Sequence, residues 1–201
     1  MSLTVGFDLD MTLVDSSRGI LDCMQHVLRA REVDASDAQL WPLLGAPLRD
    51  NLAHFLPADQ VASAAADYRA HYLEHAVEVT VAMPGAVELV DAIHAAGGTV
   101  LVVSAKHPVA VEAVLEHVGI RPDVVVGDLF AHDKAGPLRE HAATAYVGDH
   151  VGDQQAAHAA GALAVGVTTG PHDAETLRDA GAQLVVGSLT ELTGRVAELA
   201  G

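Results

Sequence analysis

The chain has 201 residues, half of them apolar, with 11 Lys and Arg against 27 Asp and Glu and a formal charge of −16. That length supports one substantial core plus a smaller appendage, and that charge excludes nucleic acid and anionic membrane surfaces as partners, so any anionic ligand must be met by a local cation. The single Cys23 forms no internal disulfide, no stretch approaches the ~18 apolar residues of a membrane span, and no targeting segment precedes the first apolar run, so a reducing, cytoplasmic setting is expected.

In chain order, the first element is a short apolar strand in VGFDLDMTLVDS, residues 5–16, that stops at Asp8 and Asp10. A carboxylate beside a core costs several kcal/mol unless a cation, a donor or a proton compensates it, so the pair calls for a partner. Residues 15–80 lack a clear strand, are rich in Ala, Leu and His, and are punctuated by Pro42, Pro47 and Pro57, which predicts several short helices inserted after the first strand. Pro84-Gly85 then starts the helix AVELVDAIHAA. From Met83 onward helical segments alternate with β-branched runs: TVLVVS at 99–104, DVVVGD at 123–128, TAYVGD at 144–149, ALAVGV at 162–167 and QLVVGS at 183–188. Val-rich runs of this length suit strands buried on both faces of a parallel sheet. In HAAGGTVLVV, HAAGALAVGV and RDAGAQLVVG a helix stops at Ala-Gly and a strand follows almost at once. The expected fold is α/β: a doubly wound, Rossmann-like parallel sheet formed by residues 1–14 and 81–201, with a small all-helical unit, 15–80, inserted after the first strand.

In an open parallel sheet, ligands bind outside the carboxyl ends of the strands. Four such ends carry polar groups: Asp8 with Asp10, Ser104, the loop reaching Lys134, and Asp149 with Asp153. Converging carboxylates form an oxygen-rich site suited to Mg²⁺, with the lysine and serine as donors for an anion beside it. The only two lysines, Lys106 and Lys134, both fall in these loops. Each residue also has a structural reading, because Asp and Ser favour helix caps and turns and Asp153 lies in the first turn of an expected helix. His71 and His75 in YRAHYLEHA have the i, i+4 spacing of paired metal ligands, but no acid or Cys completes a zinc set, so a solvated helix face is expected.

These segments resemble the four motifs of the haloacid dehalogenase superfamily: FDLDMTLVDS the first, VVSAK the second, Lys134 in HDKAGP the third and YVGDHVGDQQAAHAAG the fourth. The helical insertion and Gly45-Ala46-Pro47-Leu48 are similar to the phosphoglycolate phosphatase-like branch, whose insertion is a cap. The resemblance implies a Mg²⁺-dependent phosphoric monoester hydrolase acting on a small phosphorylated metabolite, phosphoglycolate-like or a sugar phosphate. It implies Asp8 as nucleophile, Asp10 as acid and base, and Lys134 as the cation that holds both Asp8 and the phosphate, with Thr12, Ser104 and Lys106 also at the phosphate. Asp8, Asp10 through its carbonyl, Asp149 and Asp153 would hold the metal, and Arg18 and Arg49 are candidates to read the leaving group. A monomer or homodimer is expected.

The chain departs from the family pattern at Met11, where glycine is usual, and in the short interval from Lys134 to Asp149. A dehalogenase would lack an acid at Asp10, a phosphonatase would need a lysine within 15–80, and a phospho-accepting receiver would lack the insertion. A hexose-phosphate mutase, a nucleotidase and a non-catalytic phospho-ligand binding protein remain as alternatives.

Overall fold

The structure, a computed structural model, describes residues 3–200. Its strands are β1 (Thr4–Phe7), β2 (Val14–Asp15), β3 (Val81–Ala82), β4 (Thr99–Val103), β5 (Val124–Val126), β6 (Ala145–Gly148), β7 (Leu163–Val167) and β8 (Leu184–Val186). Its α-helices are α1 (Ser17–Arg29), α2 (Asp37–Leu40), α3 (Leu48–Ala53), α4 (Ala58–His75), α5 (Ala86–Ala95), α6 (Pro108–Val118), α7 (Ala135–Glu140), α8 (Val151–Ala160), α9 (Ala174–Asp179) and α10 (Thr190–Thr193). Six strands form one sheet in the order β5-β4-β1-β6-β7-β8, and every pairing in it is parallel.

The Val-rich runs become strands because both faces of the sheet are covered. Successive residues go to opposite sides: Val100 and Val102 pack in one hydrophobic cluster, Leu101 and Val103 in the other. Ala145 and Val147 divide from Tyr146 in the same way. The Ala-Gly helix stops also form as read. Gly161 caps α8 at φ 74°, a left-handed conformation open to glycine at little cost, and β7 begins two residues later.

From β1 the chain moves outward on one side through β4 and β5, then on the other through β6, β7 and β8. This reversal of strand order opens a crevice at the carboxyl end of β1, the place where such sheets bind ligands. Helices α1 to α4 lie between β2 and β3, which pair antiparallel as a two-stranded ribbon with Val14 opposite Ala82 and Asp15 opposite Val81. Within this insertion α1 packs on α4, burying Met24, Val27 and Leu28 on one side and Ala64, Ala65, Tyr68 and Tyr72 on the other. No helix among the described residues is long and apolar enough to cross a membrane.

Candidate active site

Asp8 directly follows β1, Ser104 follows β4 and Asp149 follows β6, so three adjacent parallel strands deliver polar side chains to one edge. Lys134 ends a short 3₁₀ turn, Ala131–Lys134, and Asp153 stands in the first turn of α8. The Lys134 Nζ donates to Asp8 Oδ1 at 2.9 Å and to Asp153 Oδ1 at 2.7 Å. Asp153 Oδ2 accepts from the His150 backbone N–H at 3.1 Å, so this residue caps α8 and joins the cluster at once. Thr12 donates its hydroxyl to Asp149 Oδ1 at 3.1 Å. Carboxylate oxygens of Asp8, Asp149 and Asp153 all lie within 4.8 Å of one another.

The cluster is almost sealed from solvent: Asp149 is 0 % exposed, Asp153 and Lys134 2 % and Asp8 4 %. Three carboxylates against one ammonium leave two negative charges in a buried place, which is expensive without a counter-cation. In the metal-free protein the deficit appears as proton affinity. Burial pushes the Asp8 carboxyl up to about 7 against the pull of Lys134, with Asp153 and Asp10 adding to the rise. Burial, then Asp8 and Asp153, hold Asp149 well above the ordinary carboxylate range. Burial alone would lower the Lys134 ammonium, but Asp153 and Asp8 outweigh it and hold it well above its usual value.

Asp149 Oδ2 is buried and has no hydrogen-bond partner. A Cβ added to Gly170 would overlap that same oxygen, so the loop after β7 leaves room there only because residue 170 has no side chain. An orphaned carboxylate oxygen beside two more carboxylates fits a hard divalent cation, which takes oxygen ligands and would neutralise the two surplus charges.

Asp10 lies outside this cluster and has a lysine of its own. Its Oδ1 accepts the Ser16 hydroxyl at 2.5 Å and sits 3.1 Å from the Lys106 Nζ. The same ammonium lies 4.1 Å from the centre of the Tyr72 ring, on α4 of the insertion. Burial opposes the charge on Lys106, but Asp10 and Tyr72 beside it hold it above the usual lysine value. Each opening aspartate therefore has one of the two lysines: Lys134 on Asp8, Lys106 on Asp10.

A cavity of about 340 Å³ opens beside Asp10 and Lys106, between the insertion and the strand ends. Arg49 lines it; Arg18 does not, being 76 % exposed and paired with Asp22 at 2.7 Å. Thr12 is expected from the sequence beside the phosphate, yet both its donors are engaged within the protein, the hydroxyl on Asp149 and the backbone N–H on the Leu9 carbonyl. Ser104 is buried and its hydroxyl accepts from the Lys106 N–H at 3.2 Å, so it organises the loop that carries Lys106. Sequence reasoning missed Arg69, Tyr68 and Tyr72, all from α4 and all lining the cavity. The available signal was Tyr68 and Tyr72 at i, i+4, two of only three tyrosines in the chain.

Met11 has φ 59°, the left-handed region that favours glycine, and its side chain is buried in the hydrophobic core. Its packing there offsets the backbone strain, and it does not line the cavity.

Against known proteins, the family model for haloacid dehalogenase-like hydrolases matches residues 5–167. The chain belongs to the haloacid dehalogenase-like hydrolase family. It is 31 % identical over 214 residues to a Dickeya dadantii protein named "Probable phosphatase IndB", with 96 % of this chain and 93 % of that one covered. It is 29 % identical over 200 residues to phosphoglycolate phosphatase of Aliivibrio fischeri, covering 87 % and 88 %. A crystal structure of a haloacid dehalogenase-like hydrolase from Bacteroides fragilis is similar at a TM-score of 0.85 and 25 % identity, covering 96 % of this chain and 100 % of that one. The resemblance carried by the four motifs is thus a family membership, and the six-stranded doubly wound sheet is the family's fold.

Proposed function

We propose that this haloacid dehalogenase-like hydrolase is a Mg²⁺-dependent phosphatase that cleaves a small phosphorylated metabolite through a phosphoaspartate on Asp8. The observation that carries this reading is the buried cluster of Asp8, Asp149 and Asp153 around one lysine, with two negative charges over and one orphaned oxygen on Asp149. The phosphatase names of its relatives from Dickeya dadantii and Aliivibrio fischeri support it.

Asp8, the Asp10 carbonyl, Asp149 and Asp153 would hold Mg²⁺, which when bound supplies charge for a phosphoryl group to approach a carboxylate. Lys134, bonded to Asp8, offsets the remaining repulsion and orients the attacking oxygen. Asp8 attacks phosphorus, the ester bond breaks, and the departing alkoxide takes a proton from Asp10. Asp10 then takes a proton from the water that cleaves the phosphoaspartate, returning Asp8 and inorganic phosphate. Ser16 and Lys106 hold the Asp10 carboxyl in place for both transfers. Helices α1 to α4 would act as a cap that excludes water, with Arg49 and Arg69 at the cavity as cations for the leaving group.

Hydrolysis of p-nitrophenyl phosphate tests the metal requirement. Activity is expected to vanish with chelator and return with Mg²⁺; full activity of the metal-free protein would overturn the reading.

A further inference from the structure

Asp10 stands at the sheet, but the group that steadies its lysine comes from the insertion. The core pins Lys106 at its backbone: the N–H donates to the Ser104 hydroxyl at 3.2 Å, and the carbonyl accepts from the Asp128 N–H at 3.0 Å. The tip is not pinned in this way. Four methylenes separate the ammonium from that backbone, and each torsion is free unless a contact fixes it. The ammonium stands 3.1 Å from Asp10 Oδ1 and 4.1 Å from the centre of the Tyr72 ring. Two more carboxylates, Asp50 and Asp128, line the same cavity, so Asp10 is not the only anion there to attract a mobile ammonium.

The Tyr72 ring is itself held firmly. Tyr72 is 1 % exposed, lies where α4 packs on α1, and stacks on Tyr68 with ring centres 5.8 Å apart. Its hydroxyl is buried and has no hydrogen-bond partner. The contact with Lys106 is therefore one of ring face and charge, since the face of an aromatic ring is negative and attracts an ammonium, most strongly away from water.

We propose that Tyr72 is a positioning residue for the reaction: its ring, carried in on α4, holds the Lys106 ammonium against Asp10 and so keeps the Asp10 carboxyl in the pose its proton transfers require. The inference rests on the phosphatase reading above and adds a residue that touches neither substrate nor metal. It also accounts for the place of Lys106, which the sequence sets beside the phosphate and the fold sets beside Asp10. The acid and base at the sheet is thus completed by a side chain of the insertion.

Rapid mixing of the Mg²⁺-loaded enzyme with p-nitrophenyl phosphate tests this, because it separates two steps. Nitrophenolate leaves without a proton, so the burst reads attack by Asp8; the steady phase reads cleavage of the phosphoaspartate, which needs Asp10 as base. Tyr72→Leu is expected to slow the steady phase at least ~10-fold more than the burst, the scale of misplacing a reacting group. Tyr72→Phe keeps the ring face and is expected to hold the ratio of the two phases to within ~3-fold of the unmodified enzyme. Pentafluorophenylalanine at position 72 has nearly the shape of phenylalanine but a reversed face charge, and is expected to shift the ratio in the direction of Tyr72→Leu without disturbing the packing. In a Lys106→Met background, Tyr72→Leu is expected to change the ratio by less than ~2-fold more, because Tyr72 acts through that lysine. Equal slowing of both phases by Tyr72→Leu, no difference between the two phenylalanines, or a further large shift in the Lys106→Met background overturns the inference and leaves the phosphatase standing. Release of no nitrophenol by the unmodified enzyme overturns the phosphatase reading, and this inference with it.

Discussion

Asp8 and Asp10 stand two residues apart, yet the fold gives them different neighbours. Asp8 shares Lys134 with Asp153, whereas Asp10 holds Lys106 and Ser16. This division makes the lysines unequal. Lys134→Ala is expected to cost at least ~100-fold in kcat/KM with p-nitrophenyl phosphate, the scale of losing one preorganised electrostatic group. Lys106→Ala is expected to cost less with that ester, because nitrophenolate departs without a proton; the reverse order in a steady-state assay would exchange their roles. A second consequence concerns stability. The folded-state value for Asp8, about 7, lies above the ordinary 3.8, so folding draws a proton onto this carboxyl at intermediate pH. The sign follows: below both values the group is neutral in either state and costs nothing, and stability is lost as pH rises between them. Asp8→Asn is therefore expected to raise the melting temperature of the chelated protein at ~pH 8 and to lose that gain by ~pH 4, in thermal melts of the two proteins side by side. A gain that is the same at both pH values would refute the account of Asp8.

At the level of elements, the strands were legible because a parallel strand buried on both faces must be apolar throughout, and TVLVVS and ALAVGV have no other use for their valines. The strand ends were legible too, since Asp8, Ser104 and Asp149 are polar where the runs stop. The insertion was readable only as helices. Nothing local in YRAHYLEHA says that Tyr72 passes beneath Lys106 or that Arg69 reaches the cavity, because those contacts join residues far apart in the chain. Thr12 illustrates the same limit: the resemblance sets it near the phosphate, while its hydroxyl bond to Asp149, far along the chain, is visible only in the fold. The loop after β7 carried no signal at all, since a glycine is common in loops. Its consequence is testable: Gly170→Ala places a methyl on Asp149 Oδ2 and is expected to weaken the apparent affinity for Mg²⁺ by at least ~10-fold, as displaced metal ligands do. Titration of activity against Mg²⁺ reads this, and an unchanged midpoint would remove Asp149 from the metal site.

The whole molecule sets a sheet that gathers charge against a helical unit, with a cavity of mixed apolar and charged lining beside them. Both lysines are spent inside, in a chain with a formal charge of −16. Long-range attraction of an anionic substrate is therefore weak, and recognition falls to the site itself. The proposed mechanism has each lysine hold one aspartate to its own task, Asp8 as nucleophile and Asp10 as acid and base, and a rapid-mixing experiment with p-nitrophenyl phosphate distinguishes the two. On the proposed roles, Asp10→Asn keeps the backbone carbonyl and the Asp8 nucleophile but loses the base that would activate water. It is expected to release a burst of nitrophenol approaching one equivalent per active site, followed by nearly stalled turnover. Asp8→Asn is expected to give neither burst nor turnover. A burst from Asp8→Asn, or steady turnover of Asp10→Asn at the unmodified rate, would contradict the account.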